Sequence, residues 1–247
     1  MDQLVADGPL PDARGGVFET LLVRDGLPVE LDDHVARLTA SAGELYGVAP
    51  SPDAALALRA GAHGLPLGRV RLTVTPGRDG LVSSVSSAAV DPALVFPTDD
   101  PLALRAAVVE RGLGRHKWAD RRLVAALEEA AAPAVPLLVG SDRTVLEATR
   151  GNVFAVIDGV LVTPPLDGAI LPGVARAHVL ELAATLTVEV QERPLGHPAL
   201  LAADEVFLSG SVRGIEPVGA CGSDGRWPIG EVSRHLAAAL RARWQHG

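Results

Sequence analysis

Lysine is almost missing from this chain. Lys117 is the single lysine among 22 basic residues, in a protein of 247 residues with a net charge of −8. Arginine can replace lysine as a surface charge, but it cannot shed its proton or form an imine. A chain that uses arginine everywhere else and keeps one lysine is a candidate for amine chemistry. The plainer alternative is an Arg- and Ala-biased composition that leaves one lysine on the surface. Cysteine is just as scarce. Cys221 stands alone, which excludes a disulfide framework and a thiolate metal cluster, and no metal is expected.

Other absences narrow the class. Aromatic residues make up 3%, so the core must be aliphatic. No stretch approaches the roughly 18 unbroken apolar residues of a membrane helix, so no membrane partner is expected. Residues 1–15 (MDQLVADGPLPDARG) lack a basic start and an apolar run; no signal peptide and a cytoplasmic setting are expected. The acidic balance argues against a nucleic-acid partner, which needs a basic face. Serine-hydrolase chemistry lacks its G-x-S-x-G elbow, since SGSVRG around Ser211 has no glycine in the first place. The seven histidines form no H-E-x-x-H pair. No phosphate loop ends in Gly-Lys, and no G-x-G-x-x-G opens a helix after a strand.

What is present reads as a globular α/β (α+β) chain, too apolar at 48% hydrophobic residues for disorder. Residues 16–24 read as a strand, and Asp25-Gly26 as a turn into a short strand over 28–31. Asp32 or Asp33 is expected to cap a helix to Tyr46, with Val35, Leu38, Ala42 and Leu45 on one face and Gly47 as its stop. A short helix follows Ser51-Pro52, and 69–75 pairs with 80–90. The Pro-rich stretch that follows marks a linker. The expected division is a small α+β domain over 1–92, a linker over 93–103, and a larger domain over 104–247 that carries Lys117. In that domain a strand over 104–109 leads to the loop RGLGRHKW, then a helix over 120–132. Strands follow at 136–139, 144–147, 152–157 and 160–163, and a helix from Pro172-Gly173 to Thr185. Strands at 187–193 and 205–209 precede a final helix over 230–244.

Pyridoxal phosphate (PLP) needs an amine, a group at its ring nitrogen, a phosphate anchor and walls for its ring faces. Lys117 offers the amine and Glu147, in VLEATRGNVF, a carboxylate for the ring nitrogen. ILPGVARAHVL puts Gly173, Val174 and Ala175 at a helix start, where free N–H groups favour a phosphate. Arg37 and the Ser211 hydroxyl complete an anchor. Each has a duller explanation: Arg37 as a snorkelling surface residue, Glu147 as a solvated strand end, Ser211 as a turn former.

Order and spacing add specificity. FETLLVRDGLPVELDDHVARLTASA, HKWADRR, VLEATRGNVF, VTPPLDGAILPGVAR and FLSGSVRGIEPV, read in that order over 16–219, resemble the class IV aminotransferases. The resemblance implies a two-domain, D-amino-acid aminotransferase-like fold (fold type IV), PLP as cofactor and a homodimer acting on a small-molecule amine. It implies that Lys117 is the Schiff-base lysine, Glu147 the ring-nitrogen carboxylate and Arg37 the phosphate arginine. Leu171 would pack on one ring face, Val174 and Ala175 would give backbone N–H groups to the phosphate, and Ser211 a hydroxyl. The sequence departs from the family pattern in a shortened PDARGG segment, in Ala175 where threonine is frequent, and in Arg122 where some branched-chain enzymes have tyrosine. FETLLVRDG and SGSVRGIEPV resemble the family's 4-amino-4-deoxychorismate lyases more than its branched-chain enzymes. The expected activity is therefore elimination of pyruvate to give 4-aminobenzoate. The alternatives are amino transfer to a keto acid, from branched-chain or D-amino acids, and a PLP-binding module without turnover.

Overall fold

A computed structural model describes residues 4, 5, 8–97 and 99–246. The start of the 1–15 segment and Thr98 of the expected linker lie outside the described residues. In chain order the elements begin β1 (Leu4–Val5), β2 (Val17–Arg24), β3 (Leu27–Pro28), α1 (Leu31–Tyr46), α2 (Ala54–Ala62), β4 (Leu67–Gly77) and β5 (Gly80–Ala89). Then come β6 (Leu102–Val108), α3 (Arg122–Ala131), β7 (Val135–Val139), β8 (Thr144–Ala148), β9 (Gly151–Ile157), β10 (Val160–Thr163) and α4 (Val174–Thr185). The chain ends with β11 (Val190–Glu192), β12 (Leu195–Gly196), α5 (His197–Leu201), β13 (Glu205–Gly210), β14 (Gly214–Cys221), β15 (Gly225–Arg226) and α6 (Glu231–His246). No helix among the described residues is long and apolar enough to cross a membrane.

Two compact units interleave along the chain. The smaller comprises Leu10–Val95, His116–Arg121 and Arg243–Gly247; the larger comprises Met1–Pro9, Phe96–Arg115 and Arg122–Ala242. In the smaller unit the sheet order is β3-β2-β4-β5, with α1 packed on β2 and α2 on β4. Strand alternation sends Val17, Glu19, Leu21 and Val23 to one face and Phe18, Thr20 and Leu22 to the other. Val17, Leu21 and Val23 join Leu38 and Leu58 in the core. The register places Arg71 opposite Thr20 and Arg69 opposite Leu22, so both arginines share the Phe18 face. His116–Arg121, which the sequence assigns to the second domain, joins this sheet: the Phe18 N–H donates to the Lys117 carbonyl at 2.9 Å and Ala119 N–H to Gly16 at 2.9 Å.

The larger unit is a closed ring of six strands, β9-β13-β14-β6-β7-β8, completed where β8 pairs back with β9 through Glu147↔Asn152 and Ala148↔Gly151. Closure removes sheet edges that would otherwise be left unpaired. Leu104, Leu137, Val153, Val206, Leu208 and Val218 belong to the core of this ring. In the paired registers Glu147, Asn152 and Ser209 form one row on a common face. Two positions further along, Phe154 and Phe207 stack with ring centroids 5.0 Å apart. α4 packs against β13.

Three local expectations need correction. Glu30, not Asp32 or Asp33, precedes α1, with left-handed φ 52° and no side-chain cap bond. The two aspartates instead sit in the first turn, where they complement the helix dipole. The strand expected over 28–31 ends at Pro28, because Val29 and Glu30 form a turn and Leu31 opens the helix. The strand expected over 187–193 is confined to Val190–Glu192: Thr187 adopts φ 57° and its N–H turns back to Ala184 at 3.2 Å, closing α4. β14 and α5 were not expected from the sequence.

Candidate active site

In the smaller unit the centre of charge is Glu19, 1% exposed in an otherwise apolar row. Its carboxylate accepts from Arg37 Nε at 2.8 Å, Arg37 Nη2 at 2.7 Å and His34 Nδ1 at 2.7 Å. Burial would raise this carboxyl, but the Arg37 charge and the bonds from His34 and Arg37 outweigh it and bring it to about 2. Burial holds the His34 imidazole below its ordinary value; Glu19 opposes that, and the charges of Arg37 and Lys117 reinforce it. A neutral imidazole beside an ionised Glu19 donates from Nδ1. The Arg37 side chain is 10% exposed, so it is not a snorkelling surface residue. Its orientation comes from the α1 turn that places residues 34, 37, 38 and 41 on one side.

Lys117 lies on the opposite face of the same strand. Its Nζ stands 5.1 Å from the Phe18 ring centroid, and the Arg71 guanidinium 4.4 Å from the same centroid. Arg71 Nε also donates to Thr20 Oγ1 at 2.9 Å. Burial lowers the Arg71 pKa, and the charges of Arg69 and Arg121 lower it further. This face therefore gathers cations around one aromatic ring, a setting that favours an anion. Beside the lysine, His116 Nδ1 lies 3.1 Å from Ser41 Oγ.

In the larger unit Glu147 is buried at the end of β8 and accepts the Leu171 N–H at 3.3 Å on both oxygens. The Asn152 amide donates to the Leu171 carbonyl at 2.9 Å. One side-chain row thus clamps residue 171 from both ends of its peptide. Gly173 follows, and a Cβ there would collide with Asn152 Oδ1, so only glycine leaves the amide in place. Val174 and Ala175 are buried in the first turn of α4, whose N–H groups have no acceptor within the helix. Ser211 sits in the turn between β13 and β14. Near it, Glu216 accepts from Arg150 Nη2 at 2.8 Å and pairs with Arg213 Nη1 at 3.6 Å, both on Oε1. Burial raises its pKa and the two arginines only partly offset this. The buried hydroxyls of Ser209 and Thr149 have no hydrogen-bond partner among the described residues.

Of the residues singled out from the sequence, Lys117 and Arg37 belong to the smaller unit, gathered around Phe18–Glu19. Glu147, Leu171, Val174 and Ala175 form one connected segment of the larger unit. Ser211 lies in that unit's β13–β14 turn, and its side chain bonds to none of these. Sequence reasoning missed Glu19, His34, Arg71 and Asn152 as site residues. The signal for Glu19 was present: a carboxylate within VFETLLV is costly unless it is paired. Taken unit by unit, the groups are of the kinds PLP demands: a lysine on an aromatic wall in the smaller, and in the larger a buried carboxylate bound by a backbone N–H and a glycine-opened helix start.

Comparison with known proteins gives the family. The amino-transferase class IV family model matches residues 16–221. The chain is 46% identical over 72 residues to the branched-chain-amino-acid aminotransferase of Escherichia coli strain K12, a stretch covering 29% of this chain and 23% of that protein. It is similar to the crystal structure of 4-amino-4-deoxychorismate lyase from Pseudomonas aeruginosa, with TM-score 0.78 and 30% identity over 96% of each chain. A fold IV transaminase from Curtobacterium pusillum gives TM-score 0.79 and 25% identity, covering 95% of this chain and 90% of that one. The chain belongs to the class IV aminotransferase family, a family of PLP-dependent enzymes with the fold type IV architecture. The aligned stretch spans about a quarter of the length of the Escherichia coli relative.

Proposed function

We propose that the protein is a PLP-dependent 4-amino-4-deoxychorismate lyase that releases pyruvate and 4-aminobenzoate. The observation that carries this reading is the gathering of cations beside Phe18: Arg71 shares the Phe18 ring with Lys117, and the charges of Arg69 and Arg121 act on Arg71. Aminodeoxychorismate bears two carboxylates. A branched-chain amino acid bears one and an apolar side chain, which this face does not suit. The 30% identity to the Pseudomonas aeruginosa lyase over nearly all of both chains supports the same choice.

In this reading Glu147 would hold the cofactor's ring nitrogen, Leu171 would pack on a ring face, and Arg37, the Val174 and Ala175 N–H groups and Ser211 Oγ would bind its phosphate. The bound cofactor supplies an electron sink. Lys117, neutral when it acts, takes a proton from the aminated ring carbon of the substrate. Arg71 holds a substrate carboxylate so that this carbon faces the lysine. A homodimer is part of the proposal, to be checked by light scattering.

Local identity favours a second reading, amino transfer to a keto acid, because the 72-residue match is to a branched-chain aminotransferase. One assay separates them. Purified holoenzyme given aminodeoxychorismate without keto acid yields 4-aminobenzoate and pyruvate if the lyase reading holds. Product only on addition of 2-oxoglutarate or pyruvate, as amino transfer, contradicts it. Arg71→Leu should lower kcat/KM by about 10- to 100-fold, the loss of a hydrogen bond to a charged group worth roughly 1.5–3 kcal/mol.

A further inference from the structure

The turn that carries Ser211 is held from outside by a residue the proposed activity does not use. β14 pairs with β6 only over 218–221, so its first stretch, 214–217, lacks a β6 partner. Phe96 lies beside the start of that stretch. It is the first residue of the larger unit after the segment Leu10–Val95 of the smaller one, and it is 3% exposed although the sequence reads it as linker. Its N–H donates to the Arg213 carbonyl at 2.8 Å. Its ring stands where a Cβ on Gly214 would be, and Gly214 also has φ 72°, so glycine is required there twice over.

Phe96 is itself held. Arg241 of α6 donates from Nη2 to the Phe96 carbonyl at 3.0 Å, and its guanidinium stands 5.1 Å from the ring centroid. With amide, carbonyl and ring all engaged, Phe96 keeps a left-handed backbone at φ 52°. A bulky residue takes that conformation only where its surroundings over-determine it, and such residues gather at functional sites. On the other side of the turn, β13 is fixed by its ladder with β9, Ser209 opposite Asn152. Gly151 packs so closely there that a Cβ would collide with the Ser209 carbonyl. The turn over 211–213 thus has a rigid strand at one end and Phe96 at the other.

We propose that Phe96 is a positioning residue for the cofactor's phosphate: clamped by Arg241, it fixes the turn from the β14 side and thereby aims Ser211 Oγ. This role rests on the phosphate contact proposed above for Ser211. A serine side chain has a single heavy-atom torsion with staggered wells, so the backbone decides where its hydroxyl points. A hydroxyl–phosphate hydrogen bond weakens steeply as its angle departs from linearity. A turn free to rock would spend part of its time with that bond unmade. A pre-set turn avoids the ordering cost on binding. Phe96 touches neither substrate nor cofactor in this account and acts only through the backbone of 211–214.

The full chain, stripped of cofactor, is titrated with PLP and with pyridoxal, which lacks the phosphate; the cofactor's absorbance gives both dissociation constants. Ser211→Ala should weaken PLP binding by about 10- to 100-fold, the worth of a hydrogen bond to a charged group, and leave pyridoxal unchanged. Phe96→Ala should weaken PLP binding by about 3- to 30-fold, as groups coupled through a backbone shift do, again sparing pyridoxal. Added to Ser211→Ala, it should weaken PLP no further. The phosphorus NMR resonance of bound PLP should move the same way in both single variants. Arg241→Met, on an exposed side chain, leaves the ring in the core and should act in the same direction by about two- to fivefold. It takes the place of Phe96→Ala if that variant does not fold, as judged by melting temperature. Unchanged PLP affinity in Phe96→Ala, equal losses for PLP and pyridoxal, or additive losses in the double variant would overturn the role of Phe96 and leave Ser211 in place. Unchanged PLP affinity and an unmoved resonance in Ser211→Ala would instead remove the phosphate contact, and this role with it.

Discussion

Each unit buries one carboxylate beside arginine, and the two behave oppositely. In the smaller unit Glu19 is met on both oxygens, by two nitrogens of Arg37 and one of His34, and its pKa falls to about 2. In the larger unit Glu216 is met on one oxygen only, by Arg150 at 2.8 Å and Arg213 at 3.6 Å, and its pKa rises. Burial is the largest influence on both. Proximity of a cation is therefore not what decides the state of a buried acid. A two-pronged guanidinium plus a third donor outweighs desolvation, and a one-oxygen contact does not.

Neutralising each acid in turn puts this contrast at risk. Glu19→Gln strands Arg37 and should cost about 3–5 kcal/mol of unfolding free energy, the usual loss when one member of a buried ion pair is removed. Glu216→Gln should cost only about 1 kcal/mol, because removing a poorly compensated charge offsets much of the lost bond. Urea unfolding measures both. Equal losses would mean that bond count is irrelevant to the difference.

Acidification should separate the two acids by sign. Glu19 has a folded pKa below its ordinary 4.5, so its contribution is present above 4.5 and lost as pH falls from there to about 2. Glu216 has a folded pKa above 4.5, so its protonated form adds stability below that pH, lost as pH rises through the raised value. The cost of Glu19→Gln should therefore shrink on acidification below 4.5, while the cost of Glu216→Gln should grow as pH falls through the raised value toward 4.5. His34, held below 6.5, adds a background loss of stability as pH falls through that value, common to the wild type and the Glu216→Gln variant. Parallel profiles for the two variants would refute the assignment. A loss of similar size to that of Glu216→Gln is expected at Gly173→Ala, whose Cβ displaces the Asn152 amide and costs about 1 kcal/mol through its bond to Leu171.

Much of this was legible along the chain. The strand VFETLLVR, the apolar face of α1 and the glycine that ends it follow from local chemistry, and the structure has each of them. The clamp on Leu171 was not legible, because Asn152 reaches it across 19 residues and only the β8–β9 pairing aims it there. β14 escaped notice because Glu216 and Pro217 break the apolar pattern of a strand that is nonetheless buried in the ring. Closure of the ring depends on pairings distant in sequence, which periodicity does not encode. The bond from Phe96 to Arg213, far apart in sequence, has the same origin.

The proposed activity depends on the amine of Lys117 engaging PLP. Reducing the holoenzyme with borohydride, digesting it and weighing the peptides puts that dependence to the proof. The expected result is the cofactor's mass on the peptide containing residue 117, and a Lys117→Ala variant that carries none and loses roughly 10²- to 10⁴-fold in kcat. A wild-type peptide of unmodified mass after saturation with PLP, or the label at the N-terminal amine alone, would contradict it.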